Sequence, residues 1–216
     1  MSIHASGRPG GALLFAIPVD SLQSLAVTLG FTDRLELLAA ALGLANIVLL
    51  ARRNIWNYPF AIAMVMIYAD IFLRAKLYSD ALLQIFFLIV NIYGWIVWAR
   101  SKADSGAVVA RALSARQRVS WGLSGAAGIA LWGAAMARFT DAALPWWDAS
   151  IAITSVVAQI LLSRRYWENW LLWIAVDMVS IGVYAVKGLR ATVLLYGIFL
   201  ILSVWGYVGW RRSAKR

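Results

Sequence analysis

Residues 161–180 read LLSRRYWENWLLWIAVDMVS, and residues 49–68, 112 positions earlier, read LLARRNIWNYPFAIAMVMIY. Laid over one another without a gap, the two strings pair Arg52 with Arg164, Arg53 with Arg165 and Asn57 with Asn169. The register then continues: Leu77 meets Leu189, Leu82 meets Leu194, Phe87 meets Phe199, Gly94 meets Gly206 and Trp98 meets Trp210. Roughly a third of the 52 aligned positions are identical, well above chance for two apolar segments, so the chain carries an internal duplication. Each copy opens on an Arg pair and closes on a tryptophan followed by arginine. Equivalent ends therefore belong on one side of a membrane, and the copies run parallel. Two three-helix units share an orientation only when an odd number of spans joins them.

Composition sets the medium. The chain has 216 residues, is 62% hydrophobic with a mean hydropathy of +0.75, and contains 12 tryptophans, which marks an integral membrane protein. Seven apolar runs approach the ~20 residues that a bilayer requires. They lie at about Leu35 to Ala51, Trp56 to Leu73, Ser79 to Trp98, Val119 to Phe139, Pro145 to Leu162, Trp167 to Val186 and Thr192 to Trp210. The expected fold is an all-α integral membrane protein of seven transmembrane helices, two parallel three-helix repeats joined by a linking helix. Residues 35–100 form the first repeat, 101–144 a loop and the linking helix, and 145–216 the second repeat with a basic tail. In residues 1–34, Pro18, Asp20, Ser21, Gln23 and Ser24 interrupt the apolar stretch, which suits a helix lying at the interface rather than a span or a secretory signal. The linking span, WGLSGAAGIALWGAAMA, repeats small residues at Gly122, Ala126 and Ala130, and that spacing predicts a strut packed closely on a neighbour.

A net charge of +10 does not point to nucleic acid, because the basic residues come in pairs and short clusters between apolar runs instead of along one stripe. With the C-terminus in the cytoplasm, thirteen of the twenty Lys and Arg residues fall on the inner side, as the positive-inside rule favours for a multi-pass protein. Cysteine is absent and His4 is the single histidine, which removes disulfides, thiolate chemistry, His-based metal sites and Ser-His catalysis. No metal site and no cofactor are expected, and no phosphate-binding P-loop supports direct ATP hydrolysis. The composition is compatible with assembly as a homo-oligomer in the bilayer.

The polar residues at membrane depth are the candidate site. On one helix, Trp170, Trp173, Asp177 and Tyr184 stand at i, i+3, i+7 and i+14, so two indoles, a carboxylate and a phenol share a stripe. A charge at that depth costs roughly 2.5–3.5 kcal/mol and needs a bundle interior or a wet cavity. Carboxylate and aromatic faces suit a small, flat, cationic or hydrogen-bonding ligand. An interhelical pair with packing tryptophans is the competing structural reading. Gln84, Asn91 and Trp98 recur every seven residues and turn two amides inward, either to a ligand or to a neighbouring helix. Asn57 and Asn169 follow the Arg pairs and read as helix caps or, secondarily, as gate residues. Asp148 lies near an outer end, as does Asp70, where gating or pairing with Arg138 or Arg74 competes with binding.

Particular strings resemble the PnuC family of bacterial vitamin transporters, which are similar to the SWEET sugar transporters in their three-plus-one-plus-three helices. These are LLQIFFLIVNIYGWIVWAR at 82–100, PWWDAS at 145–150 and ENWLLWIAVD at 168–177, and the likeness spans about Glu36 to Arg212. The last string holds the W-x-x-W-x-x-x-N signature of the nicotinamide riboside members as Trp170 and Trp173, with Asp177 in place of the Asn. The resemblance implies a non-enzymatic carrier in the bacterial inner membrane. Its expected activity is uptake by facilitated diffusion, with cytoplasmic phosphorylation of the vitamin as the trap. It also implies substrate contact by Gln84, Asn91, Trp170 and Trp173. Nicotinamide riboside is the family default. Asp177 suits thiamine, whose aminopyrimidine donates and whose thiazolium is cationic, and riboflavin comes third because it offers no fixed cation. An intramembrane enzyme lacks a nucleophile with its base, and a structural subunit leaves the inward polar residues without a purpose.

Overall fold

The computed structural model describes residues 34–74, 78–141, 143–186 and 190–214; the tail and the interfacial helix expected before residue 34 lie outside the described residues. Those residues form seven α-helices: α1 (Arg34–Ala51), α2 (Asn57–Arg74), α3 (Tyr78–Ser105), α4 (Ala115–Phe139), α5 (Pro145–Ser163), α6 (Asn169–Val186) and α7 (Arg190–Ala214). Their cores coincide with the seven apolar runs. The differences fall at the ends, where α3 and α7 continue past Trp98 and Trp210 through polar residues that helical geometry tolerates once outside hydrocarbon. Among the described residues five helices, α3 to α7, are long and apolar enough to cross a membrane. Helix α1 opens on Arg34 and Glu36 ahead of its apolar run, while α2 carries Asn57, Pro59, Asp70 and Arg74. The chain is a multi-pass, all-helical membrane protein.

Local sequence sets the starts and stops. Ser114 caps α4 and forms a reciprocal capping box with Gln117, satisfying donors that the first turn leaves open. Pro145 occupies the first turn of α5, where its missing N–H costs nothing.

Neighbours in sequence pack as α1 on α2, α2 on α3, α4 on α5, α5 on α6 and α6 on α7; across the molecule, α1 packs on α7 and α3 on α5. Shifting by 112 residues turns α1 into α5 and α3 into α7, so each crossing contact is the other's counterpart. The equivalence extends to single bonds at the end that bears the Arg pairs, called the basic end below. Trp98 Nε1 donates to the Leu162 carbonyl at 3.4 Å, and Trp210 Nε1 donates to the Leu50 carbonyl at 3.1 Å. Arg53 reaches Ser213 Oγ as Arg165 reaches Ser101 Oγ. Both arginines have left-handed backbones, with φ of 56° and 69°, a conformation that costs a residue with a Cβ roughly 1–2 kcal/mol. Burial lowers the pKa of each guanidinium from its ordinary value, and Arg111 lowers that of Arg165 further. The bonds to serine and to the Val108 and Val109 carbonyls compensate for that lost hydration.

A buried aromatic cluster lies between these turns. Trp98 and Trp210 meet at 5.4 Å, Tyr58 packs edge-on against Trp98 at 5.2 Å, and Trp170 packs against Trp210 at 5.8 Å. Gly94 and Gly206 make the approach feasible: a Cβ at Gly94 would lie 2.6 Å from Tyr58 Oη, and one at Gly206 would lie 2.5 Å from the Trp170 ring.

One expectation fails. The small-residue stripe of α4 is no packed strut: Gly122, Ala126 and Ala130 are exposed, and nothing lies within 4 Å of a Cβ built on Gly122. The close approaches are made instead by Gly128, against Ile153, and Gly133, against Trp146, because α5 crosses α4 on a different face. Spacing shows that a helix could admit a close neighbour; it does not say on which face one lies.

Candidate functional site

A cavity of about 590 Å³ lies between the halves, lined by α1, α2, α3, α5, α6 and α7. Leu50, Leu162 and Trp170 wall it at the basic end. Phe72, Asp148, Tyr184 and Tyr196 line it toward the opposite end, where Tyr184 and Tyr196 stack at 5.3 Å. A rise of ~1.5 Å per residue separates Trp170 from Asp177 by roughly 10 Å along α6, so the carboxylate sits about midway along the helix.

The cavity gathers Gln84, Asn91, Asp148, Trp170, Trp173, Asp177 and Tyr184 from three helices, α3, α5 and α6. Asp177 is only 3% exposed and its Oδ2 accepts from Ser203 Oγ at 2.9 Å. It is neither turned to lipid nor held in an ion pair among the described residues. Asn91 Oδ1 accepts from Gln159 Nε2 at 3.0 Å, a buried amide pair that joins α3 to α5. Two buried polar atoms on the lining, Trp170 Nε1 and Asn46 Oδ1, have no hydrogen-bond partner among the described residues: one donor and one acceptor that a ligand can satisfy.

Other candidates stand apart. Asn57 and Asn169 are buried as the first residues of α2 and α6, and their Nδ2 groups donate back to the Asn54 and Tyr166 carbonyls of the preceding turns at 2.7 and 2.6 Å. Neither lines the cavity. Asp70 pairs with Arg74 at 2.8 Å on the exposed surface.

Sequence reading missed Asn46, Gln159, Tyr196 and Ser203. The duplication contained a signal for two of them: the 112-residue shift that aligns the copies sets Tyr196 opposite Gln84 and Ser203 opposite Asn91. Gln159 and Asn46 have apolar counterparts, Ile47 and Ala158, and only their tertiary surroundings single them out.

Described among the cavity's lining residues are two carboxylates and no Lys or Arg. Such a chamber attracts a small cation with flat, hydrogen-bonding parts, and its volume falls in the roughly 300–1,000 Å³ range of small-molecule sites. Comparison with known proteins gives the family. The profile described as nicotinamide mononucleotide transporter matches residues 33–212. The chain belongs to this family, the PnuC transporters. It is 30% identical over 206 residues to the nicotinamide riboside transporter PnuC of Escherichia coli (strain K12), covering 84% of this chain and 86% of that one. It is 26% identical over 184 residues to the riboflavin/roseoflavin transporter RibM of Streptomyces davaonensis, covering 84% of this chain and 86% of the relative. The crystal structure of the vitamin B3 transporter PnuC superposes with a TM-score of 0.72 at 28% identity, over 90% of this chain and 88% of that one.

Proposed function

We propose that this member of the PnuC family takes up nicotinamide riboside by facilitated diffusion. The observation that carries the reading is the cavity between the halves, in which Trp170 and Trp173 stand one to two turns from Asp177 and no basic residue is described on the lining. The pyridinium of the riboside is flat and cationic, so indole faces and a carboxylate complement it. The carboxamide and sugar hydroxyls have Gln84, Asn91, Gln159 and Ser203 to pair with. Among the described lining residues a phosphate would meet Asp148 and Asp177 and no Lys or Arg, which favours the riboside over the mononucleotide. Tyr184 closes the outer part of the chamber.

The arrangement is a pair of parallel three-helix repeats, α1–α3 and α5–α7, joined by α4, with seven spans in the bacterial inner membrane and a cytoplasmic C-terminus. The register of the duplication, the exchanged tryptophan and arginine bonds and the basic end support it. The repeats rock against each other about the aromatic cluster, alternately opening each side. Net uptake follows when a cytoplasmic kinase phosphorylates the vitamin. Thiamine is the second reading, favoured by Asp177 in place of the Asn of the family signature, because an ionised carboxylate accepts from the aminopyrimidine and counters the thiazolium. Riboflavin is third.

Purified protein in sealed liposomes tests this. Labelled nicotinamide riboside should reach the same concentration inside as outside with neither ATP nor an ion gradient. Enclosing a riboside kinase with ATP should drive it higher, and nicotinamide mononucleotide should enter at least tenfold more slowly. Faster entry of thiamine would transfer the assignment to that vitamin. Failure of all these solutes to equilibrate would leave a structural subunit.

A further inference from the structure

Away from the vitamin cavity, a groove of about 540 Å³ runs between α4, α5 and α6. Its walls are apolar for most of their length: Gly122, Gly125 and Ala126 on α4, Val157 and Leu161 on α5, and Leu172 on α6. A Cβ at Gly122 or Gly125 would meet nothing within 4 Å, so the stripe that fails to pack on a helix leaves open space. Leu123, Leu131 and Phe139 are exposed along α4, a helix long and apolar enough to cross a membrane, so acyl chains are the natural material at the mouth of the groove.

At the basic end the groove reaches two charges. Glu168 is 7% exposed; its Oε1 accepts from the Leu113 N–H at 2.9 Å and from Arg118 Nε and Nη2 at 3.2 and 3.0 Å. Its Oε2 is buried without a hydrogen-bond partner among the described residues. Both residues line the groove, and the Arg118 side chain keeps about half its surface exposed, 52%. A buried acceptor left open is expensive, and more so when it carries charge. The pattern at the head of an apolar slot is a carboxylate oxygen wanting a donor beside a guanidinium able to take an anion.

We propose that this groove holds a phospholipid with a primary ammonium headgroup, phosphatidylethanolamine. One acyl chain lies along Gly122, Gly125 and Ala126, the phosphate pairs with Arg118, and the ammonium donates to Glu168 Oε2. A choline headgroup has the same phosphate and charge but no N–H to donate, and a glycerol headgroup has hydroxyls but no cation. The site thus discriminates by headgroup donor, and it does so whichever vitamin the cavity carries.

Native mass spectrometry of the full chain, released from detergent with equimolar phosphatidylethanolamine, phosphatidylcholine and phosphatidylglycerol of one chain length, tests this. Phosphatidylethanolamine should be retained about tenfold over phosphatidylcholine, the equivalent of one charge-assisted hydrogen bond. Glu168→Gln should abolish that preference while leaving some lipid bound. Gly125→Leu, which fills the slot, should strip all three lipids. Vitamin binding in each variant reports that the fold is intact; if Glu168→Gln loses it, Gly125→Leu still decides. Equal retention of choline and ethanolamine lipids by the unaltered chain overturns the proposal. So does a Gly125→Leu protein that dissociates a homo-oligomer while keeping its lipid.

Discussion

At the scale of single residues, Asp177 is where the chain departs from the signature it otherwise carries, and its surroundings make that departure testable. The carboxylate can only accept, whereas an amide donates and accepts. Asp177→Asn should therefore weaken thiamine binding about tenfold and spare or improve that of nicotinamide riboside, read by calorimetric titration of the purified protein. Equal losses for both vitamins would mean that the Ser203 bond serves the bundle rather than the substrate. Gly206 is a second decisive position, because its missing Cβ leaves room for the Trp170 ring. Gly206→Ala should cost about 1–3 kcal/mol through overpacking, lower the thermal midpoint, and weaken vitamin binding by shifting the indole. Gly182→Ala is the control: with open space around its Cβ, it should leave the midpoint unchanged or raise it by the ~0.5–1 kcal/mol that alanine gains over glycine in a helix.

Among the helices, the basic end is held by bonds exchanged between the halves. Trp98 and Trp210 donate to carbonyls at the ends of α5 and α1, groups that helix geometry leaves without intrahelical partners. Trp98→Phe and Trp210→Phe should each cost about 0.5–1.5 kcal/mol, and by similar amounts, as thermal-shift measurements on the two purified variants would show. A large effect from one and none from the other would break the equivalence of the halves. The small residues of α4 teach the converse lesson. Their spacing was legible and their partner was not, since a motif of this kind specifies the shape of a surface, and the crossing of α5 decides which surface is covered.

For the molecule as a whole, the proposed orientation rests on charge, and the absence of cysteine makes it easy to check. An impermeant maleimide applied to intact cells should label Asp141→Cys, in the turn between α4 and α5. It should reach Ala103→Cys, near the basic end of α3, only after permeabilisation. The reverse pattern would invert the protein and assign the cavity's tyrosine-lined end to the cytoplasm. The sequence by itself determined the helices of the described residues, because hydrocarbon demands long apolar segments, and it supplied the offset on which the proposed repeat rests. It also marked Asp177 and its indoles, since a charge among apolar residues is conspicuous in any arrangement. Only the tertiary structure decided that Gln159 completes the pair with Asn91, that Ser203 meets Asp177, and that Glu168 keeps one oxygen open. Each of those depends on which faces of distant helices come within 3 Å, and no periodicity along a single chain encodes that distance.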